Sequence, residues 1–287
     1  MDFYQLDVFA EGPYRGNQLA VFPDAEGLTR EQMQGIANEM NLSETTFVSS
    51  STADSYEARI FTPNEELPFA GHPTIGTAWL LRHLGRVTAD RIVQHSAAGE
   101  TPVDVTGDEL WFTRPGSVDR DLAATDPSAN ARLPKIFGLE PTDIGLEARE
   151  LGRSGRLEPA YTEIGIRQLM VPVRDLDTLS RLQPSADGLR ALVGTIGAYC
   201  FTAYQAGVVR ARGFFPAVGI DEDPATGSAA AGLGIYLADR IGAIDLDVHQ
   251  GVEMGRPSRL GLRAAPGEVS VGGRCELIFT GHLERLP

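Results

Sequence analysis

The chain has 287 residues, and its 25 Lys and Arg against 39 Asp and Glu give a net charge of −14. This charge argues against nucleic acid and against an anionic membrane as partners, although it permits an anionic ligand in a locally positive pocket. The length suits about two domains of ~150 residues. Two cysteines are too few for a disulfide framework or a zinc site. The first residues carry acids and no long apolar run, so we expect a cytoplasmic protein with neither signal peptide nor membrane span.

In the first part of the chain, short apolar runs between turn residues predict strands. They lie at 3–9, 19–22, 45–48, 56–61, 92–95, 103–106 and 110–112. The clearest helix is predicted at 28–41, where apolar residues recur at helical spacing. Thr29 and Gln32 suit a capping box at its start, and Asn41 suits a left-handed end.

Between 117 and 139 no period is sustained, and this stretch is the first candidate domain boundary. Beyond it, strands are predicted at 169–173, 198–203 and 208–214, and a helix is predicted at 186–193. A long helix rich in Ala and Gly is predicted at 224–241. From 252 to 283, strands alternate with glycine turns.

One helix entrance, meaning the residues that lead into and begin a helix, is of particular interest. An acidic, turn-prone segment leads into Gly71, His72 and Pro73, and then into small and apolar residues that predict a buried helix at 73–84. The first backbone N–H groups of a helix have no partner within it. With the helix dipole they stabilise a carboxylate or phosphate by roughly 0.3–1 kcal/mol, or ~2 kcal/mol when partly buried. This entrance therefore predicts a site for an anionic group.

The pattern R-x-F-x-P occurs twice, beginning at Arg59 and at Arg212, and so at an offset of 153 residues (212 − 59). An acidic loop follows each copy, and eight residues beyond each proline a small-residue helix is predicted to begin, at Gly71 and at Pro224. Matching strand, loop and helix indicate a duplicated α/β domain. We expect two such domains to place their helix entrances across a shared cleft, a usual location for a small ligand.

Four motifs together carry a resemblance to a known family. They are DVFAEGPYRGNQLAVF near the N-terminus, NLSETTFV after the first helix, and the two helix-entrance motifs IFTPNEELPFAGHPTIG and DEDPATGSAAAG. Over nearly its whole length the chain resembles the phenazine-biosynthesis PhzF-like family. The resemblance implies an α+β fold of the diaminopimelate epimerase type. Such a fold has two similar domains, each a curved, barrel-like mixed β-sheet wrapped around a central α-helix.

The resemblance also implies the domain limits. The central helices would be 73–84 and 225–241. The N-terminal domain would cover 1–117, and the C-terminal domain would cover 118–276 as a pseudo-symmetric repeat of the first. A final strand at about 277–287 would return to the N-terminal domain.

The family's functional residues are carried over by motif. Its acid–base carboxylate corresponds to Glu44 in NLSETTF. Polar side chains and backbone amides at the two helix entrances would bind the substrate and its carboxylate. These substrate-binding positions are Gly71, His72, Asp223, Gly227 and Ser228. The chain departs from the family at Gln18, where the pattern GNP usually has proline, and this change slightly loosens the turn.

Each side chain also has a purely structural interpretation. Glu44 could simply be a solvated carboxylate at a strand start. A proton shuttle instead needs burial, which raises the pKa of its carboxyl group toward neutral. His72 could cap its helix or satisfy a turn. Asp223 could be an N-cap ahead of Pro224, and Ser228 could be a small residue chosen for packing.

The cysteines bear on the type of chemistry. The epimerase branch of this fold uses two active-site cysteines as its acid–base pair. Neither helix entrance here carries a cysteine, and Cys200 and Cys275 lie inside strand-like runs. Both are predicted to be core residues, so cysteine-based racemisation is disfavoured.

The implied mechanism is proton transfer by an isomerase that needs no cofactor. Glu44 would remove a proton from one carbon of a small cyclic amino-acid-like carboxylate and return it at another, as in the isomerisation of a dihydro-hydroxyanthranilate. No phosphate-loop, dinucleotide or metal-ligand motif is present, so neither cofactor nor metal is expected. The resemblance also implies a homodimer. Two other functions stay open: a non-catalytic metabolite-binding or interaction protein on the same fold, and an epimerase that uses carboxylates.

Overall fold

The chain divides into two units that each combine strands and helices. The computed structural model describes residues 1–192 and 194–287. Unit 1 comprises Met1–Thr113 together with Val271–Pro287, and unit 2 comprises Arg114–Ser270. The fold is therefore of the mixed α+β class, with many strands and few long helices.

Strands form most of the regular structure. In the first part of the chain they are β1 (Asp2–Val8), β2 (Asn17–Phe22), β3 (Glu44–Ser51), β4 (Ser55–Phe61), β5 (Glu66–Leu67), β6 (Arg91–Ser96), β7 (Gly99–Thr106), β8 (Glu109–Pro115) and β9 (Ser117–Asp121). In the second part they are β10 (Leu146–Glu147), β11 (Arg156–Leu157), β12 (Ala160–Glu163), β13 (Arg167–Pro172), β14 (Ala198–Gln205), β15 (Val208–Phe215), β16 (Ile220–Asp223), β17 (Ile244–Gln250), β18 (Ser258–Ala265), β19 (Glu268–Gly273) and β20 (Cys275–His282).

The helices are fewer and mostly short. They are α1 (Arg30–Met40), α2 (Gly71–His83), α3 (Leu122–Thr125), α4 (Pro127–Phe137), α5 (Leu176–Ser180), α6 (Ala186–Arg190) and α7 (Gly227–Ile241). Short 3-10 turns lie at Pro141–Asp143, Ala148–Leu151 and Pro216–Val218. Within the described part of the chain, none of the helices has the length and apolar character needed to span a membrane.

Helix α1 has the ends that its sequence predicts. The Thr29 side chain accepts a hydrogen bond from the backbone N–H of Gln32, and the Gln32 side chain accepts one from the N–H of Thr29. Asn41 follows in the left-handed conformation, and its N–H donates to the carbonyl of Ala37. The capping box and the left-handed end are both confirmed.

Unit 1 contains a mixed sheet. Strands β20, β1 and β2 are antiparallel neighbours, and β2 then runs parallel to β3 with Leu19 opposite Glu44. Strands β3 and β4 are antiparallel, β4 and β6 are parallel, and β6, β7 and β8 are antiparallel again. Parallel neighbours need a crossover connection, which α1 supplies after β2 and α2 supplies before β6.

Unit 2 shows the same series of pairings. Strands β9, β12 and β13 are antiparallel neighbours, and β13 runs parallel to β14 with Leu169 opposite Ala198. Strands β14 and β15 are antiparallel, β15 and β17 are parallel, and β17 and β18 are antiparallel. Phe61 and Phe214 of the repeated R-x-F-x-P pattern lie opposite Thr45 and Ala198, so Gly197, the residue before β14, corresponds to Glu44 of unit 1.

Helices α2 and α7 pack closely against the strands of their own units. Helix α2 contacts β1, β2, β3, β6, β7 and β20, and helix α7 contacts β9, β12, β13, β17 and β18. A Cβ atom at Gly76 would lie 2.5 Å from Leu19 Cδ2, and one at Gly234 would lie 2.6 Å from Val269 Cγ2. Glycine costs about 1 kcal/mol inside a helix relative to alanine. Close packing, rather than helix propensity, therefore explains the small residues of both helices.

The region around 117–139 differs from expectation, because it contains β9, α3 and α4. Asp126 caps α4 by accepting a hydrogen bond from the N–H of Ala129, and Pro127 follows at the first helical position. Pro134 lies inside the helix. Prolines usually mark loops, so they obscured the helical period of this segment.

The boundaries of three predicted helices also change. Helix α7 begins at Gly227 rather than at 224, because β16 pairs with β15 and keeps the chain extended through Asp223. The N-cap residue is Thr226, so the interpretation of Asp223 as an N-cap is wrong. Helix α2 begins at Gly71, which confirms the start predicted from the repeat, rather than at 73, the start that the resemblance implies. Helix α6 ends at Arg190, and its predicted end at Val193 lies outside the described residues.

Candidate functional site

Helix α2 begins without a capping side chain. Its N-cap residue is Ala70, and its first two residues, Gly71 and His72, are buried. Helices α1, α4, α5 and α6 are each capped by the side chain of a Thr, Asp or Ser. The first N–H groups of α2 thus have no capping side chain as partner, which is the arrangement expected of an anion-binding helix start.

Glu44 lies beside this helix entrance. It is the first residue of β3, and only 8% of its surface is exposed. Its Oε2 atom lies 3.4 Å from Nε2 of His72. At this distance the two groups are neighbours without a well-formed hydrogen bond. The interpretation of Glu44 as a solvated carboxylate is therefore wrong.

Asn17 extends the cluster on the other side of the imidazole. Its Nδ2 atom lies 3.2 Å from Nδ1 of His72, and its Oδ1 accepts a hydrogen bond from Ser43 Oγ at 3.0 Å. Asn17 begins β2 and Glu44 begins the parallel neighbour β3, so both side chains lie at the same edge of the sheet. Neither Asn17 nor Ser43 is among the residues predicted from the motifs. The available signal was a polar residue at the start of the otherwise apolar strand NQLAVF.

His72 is neutral at neutral pH. Burial lowers the pKa of its imidazole from 6.5 to about 3. The contact with Glu44 is therefore not an ion pair. A neutral imidazole offers one donor and one acceptor nitrogen, so it can give a hydrogen bond to a carboxylate or take one from a carboxylic acid. Glu44 can therefore take up and release a proton while His72 stays neutral and hydrogen-bonds either form of the carboxyl group.

Helix α7 also begins without a side-chain cap, with Thr226 as its N-cap residue. Its second residue, Ser228, is 7% exposed, and the Ser228 Oγ accepts a hydrogen bond from Gln168 Nε2 at 3.1 Å. The buried Asp223 accepts a hydrogen bond from Thr226 Oγ1 at 2.5 Å. Asp223 thus orients the N-cap residue through its side chain.

Gln250 ties this helix entrance to strand β17. Its Nε2 donates to the carbonyl of Asp223 at 2.7 Å and to Thr226 Oγ1 at 3.0 Å. Its Oε1 accepts from the N–H of Thr226 at 3.0 Å and from the hydroxyl of Tyr199 at 2.8 Å. Burial raises the pKa of Tyr199 well above its usual value, and Asp223 adds to this effect. The tyrosine therefore stays protonated as a donor.

The predicted site residues form one group in each unit. Unit 1 brings together Glu44, Gly71 and His72, and unit 2 brings together Asp223, Gly227 and Ser228. That both groups serve one substrate stays a prediction of the resemblance.

The cysteines take no part in either group. Cys200 is 0% exposed and Cys275 is 6% exposed, which confirms that both are core residues. Burial raises the pKa of both thiols. A buried thiol with a raised pKa is a poor acid–base group near neutral pH.

Comparisons with known proteins identify what the chain is similar to. A family model described as "Phenazine biosynthesis-like protein" matches residues 6–281. An uncharacterized isomerase of Pasteurella multocida is 34% identical over 286 residues, which cover 98% of this chain and 93% of the relative. The trans-2,3-dihydro-3-hydroxyanthranilate isomerase of Pseudomonas chlororaphis is 37% identical over 269 residues, which cover 90% of this chain and 88% of the relative.

A solved structure is similar over the whole chain. It is described as a predicted epimerase of Pseudomonas aeruginosa, and it matches with a TM-score of 0.81 at 31% identity. The match covers 99% of each chain. The fold is thus shared with proteins that are named isomerases or epimerases.

Proposed function

The chain belongs to the phenazine biosynthesis-like family and is an isomerase, and from this we infer the reaction that it catalyses. We propose that it moves a proton within a small cyclic amino-acid-like carboxylate and thereby shifts a double bond. A relative's name, trans-2,3-dihydro-3-hydroxyanthranilate isomerase, makes that compound the first substrate to test. The observation that carries the proposal is the buried Glu44 against a neutral His72 at an uncapped helix entrance.

Glu44 is the acid–base residue in this proposal. Its carboxylate takes a proton from one carbon of the substrate, and the carboxylic acid so formed returns the proton to another carbon of the same conjugated system. The substrate gains and loses no atoms, so the step needs no further reactant. A positioned acid–base group typically contributes about 10²–10⁴-fold to the rate.

The start of α2 binds the substrate's carboxylate in this proposal. Negative charge develops on the substrate when the proton leaves, and a conjugated carboxylate shares it. The N–H groups near Gly71 and the positive end of the helix dipole stabilise that charge. His72 stays uncharged and orients the groups that exchange the proton.

The residues at the start of α7 are the second substrate-binding group in this proposal. Asp223 and Ser228 supply polar side chains, and the N–H groups near Gly227 favour a carboxylate. The lack of a side-chain cap on α7 supports this role, as it does for α2.

Further properties are proposals of the same resemblance. They are the curved, barrel-like form of each sheet around its central helix, domain limits at 1–117 and 118–276 with the strand at 277–287 in the first domain, a cytoplasmic location, a reaction without cofactor, and a homodimer. Sedimentation that finds only a monomer would remove the homodimer.

The test is proton exchange with solvent. The wild-type protein and Glu44→Gln are incubated with trans-2,3-dihydro-3-hydroxyanthranilate and related cyclic dienes in D₂O, and label is followed by NMR. We expect the wild type to place deuterium on a ring carbon and Glu44→Gln to lose this activity. Glu57→Gln is the matched control, because Glu57 is an exposed residue of β4. Equal incorporation by wild type and Glu44→Gln would overturn the proposal.

An epimerase that uses carboxylates is the second candidate. The name of the similar Pseudomonas aeruginosa structure favours it. An epimerase needs a second acid–base group, and Asp223 is the available carboxylate because Gly197 holds the position equivalent to Glu44. The same experiment separates the two, since an epimerase inverts a stereocentre and leaves the double bonds in place.

A further inference from the structure

Helices α2 and α7 each carry a polar side chain at their second position, and in each helix this side chain contacts a buried carboxamide. In unit 1 the pair is His72 and Asn17, and in unit 2 it is Ser228 and Gln168. The two carboxamides lie on corresponding strands of the two units. Strand β2 runs parallel to β3 in unit 1, and β13 runs parallel to β14 in unit 2. Each unit thus has a contact of the same kind, and the two units differ in both residue types that make it.

These carboxamides are costly to bury. Asn17 is 1% exposed and Gln168 is 0% exposed. A buried amide destabilises the fold when its hydrogen bonds are not made, whereas an apolar side chain carries no such cost. What a carboxamide adds is direction, because its nitrogen and oxygen each restrict the orientation of the partner group.

Asn17 can restrict His72 in two ways that fit the same heavy-atom positions. When the amide nitrogen donates to Nδ1, the imidazole proton is on Nε2 and points to Glu44. When the amide oxygen accepts from Nδ1–H, Nε2 is bare and can accept a hydrogen bond from protonated Glu44. Each arrangement favours one tautomer and keeps the direction of the 3.4 Å contact between Nε2 and Glu44. The imidazole also hydrogen-bonds the backbone of Gln18, so unchanged shifts on loss of Asn17 would assign the tautomer to Gln18 instead.

We propose that Asn17 is a positioning residue that fixes the ring orientation and the tautomer of His72 toward Glu44. The Ser43 hydroxyl orients the Asn17 carboxamide by donating a 3.0 Å hydrogen bond to its Oδ1 atom. The inference rests on the proposed function for its consequence in catalysis, but the geometry that it describes can be measured without any substrate.

The main test is the ¹⁵N NMR spectrum of the imidazole nitrogens, with the His72 signals assigned by their loss in His72→Gln. In the wild type we expect one nitrogen to be protonated and the other bare between pH 5 and pH 8. Asn17→Leu keeps the size of the side chain and removes its hydrogen bonds, so we expect averaged shifts from two exchanging tautomers. Unchanged His72 shifts in Asn17→Leu would overturn the proposal.

Gln94→Leu is the matched control. Gln94 is another fully buried carboxamide of unit 1, but it bonds to Tyr56 and Thr74 instead of His72. We expect it to lose stability, as Asn17→Leu does, while the His72 tautomer stays that of the wild type. Averaged His72 shifts in Gln94→Leu as well would also overturn the proposal, since the effect would then be general. The smaller variant Asn17→Ala carries the same test if Asn17→Leu does not fold.

Kinetics give the consequence for the reaction. For a substrate that exchanges deuterium with the wild type, we expect Asn17→Leu to lower kcat about 10²-fold, the effect of misplacing a group by ~1 Å. KM should change little, because substrate binding does not depend on this contact. A wild-type protein that exchanges no deuterium would refute the proposed function, and the NMR result would still decide the role of Asn17.

Discussion

The starts of α2 and α7 are built alike in most respects. Each helix begins at a glycine without a side-chain cap. In each unit a buried glutamine, Gln94 or Gln250, accepts a hydrogen bond from a tyrosine hydroxyl at 2.8 Å and donates to a threonine hydroxyl of the helix entrance. Because both units have these features, they build the helix entrance but do not explain a chemical difference between the units.

The repeated R-x-F-x-P pattern belongs to the same shared architecture. Arg59 makes two hydrogen bonds of 2.7 Å to Glu66, and Arg212 makes two of 2.8 and 2.9 Å to Glu222. Each arginine lies over the phenylalanine of its own motif, with its guanidinium carbon 5.3 Å and 5.0 Å from the ring centre. A glutamate of each acidic loop therefore pairs with the motif arginine and stabilises the connection between the two.

The differences lie at three positions. Unit 1 has Glu44 where unit 2 has Gly197, and it has His72 where unit 2 has Ser228. Unit 2 has Asp223 bound to its N-cap threonine. Under the proposed function, a duplicated framework carries proton-transfer groups in unit 1 and polar binding groups in unit 2. The comparison teaches that function follows the positions at which the copies diverge.

The largest effect should come from Glu44→Gln, which we expect to lower kcat about 10²–10⁴-fold. Asp223→Asn should keep deuterium exchange and raise KM about tenfold, since a hydrogen bond to a charged group contributes ~1.5–3 kcal/mol. Steady-state kinetics and NMR in D₂O measure both. Thr226→Val is the control, because it breaks the Asp223 contact and keeps the carboxylate. Complete loss of exchange in Asp223→Asn would show that proton transfer is not confined to unit 1.

Ala198→Glu should destabilise unit 2, because Ala198 belongs to a buried hydrophobic cluster next to the position equivalent to Glu44. Ala198 is 0% exposed, and an unpaired buried charge destabilises a fold by about 3–5 kcal/mol. Urea unfolding at pH 7 measures the loss. Ala198→Gln has the same size without the charge, so it reports the steric part. If Glu and Gln destabilise unit 2 equally, the two strand starts do not differ in their tolerance of charge.

The two motif arginines should differ in their contribution to stability. The Arg212 side chain is 9% exposed and also donates to the carbonyls of Leu179, Ser180 and Leu182, whereas the Arg59 side chain is 35% exposed. We expect Arg212→Met to lower the free energy of unfolding by ~3 kcal/mol and Arg59→Met by ~1 kcal/mol. Equal losses in urea would mean that burial does not distinguish the two pairs.

The smallest effect is the pH dependence that His72 contributes. Unfolded His72 takes up a proton with a pKa of 6.5, whereas the folded side chain stays neutral down to about 3. The unfolded state therefore binds more protons in this window, and the fold loses stability as the pH falls. Between pH 6.5 and 5.5 the loss is about 1 kcal/mol. It should be absent in His72→Gln, and identical pH profiles of the two proteins would contradict the burial of a neutral His72.

Local patterns predicted much of the framework. The capping box at Thr29, the left-handed Asn41 and most strands follow from neighbouring residues, whose interactions are short in sequence. The segment around α4 was missed because two prolines obscured its period. The start of α7 was misplaced because a strand pairing between β15 and β16 overrides the helix signals of Asp223 and Pro224.

By itself the sequence determined the residue types of the site, their motifs and the repeated R-x-F-x-P pattern, because these are properties of short segments. Tertiary structure decided that Asn17, His72 and Glu44 are neighbours, since parallel pairing of β2 and β3 joins positions 27 residues apart (44 − 17). It also decided that His72 is neutral and that Gly197 replaces Glu44 in unit 2. Charge state depends on burial, and burial depends on residues from distant parts of the chain.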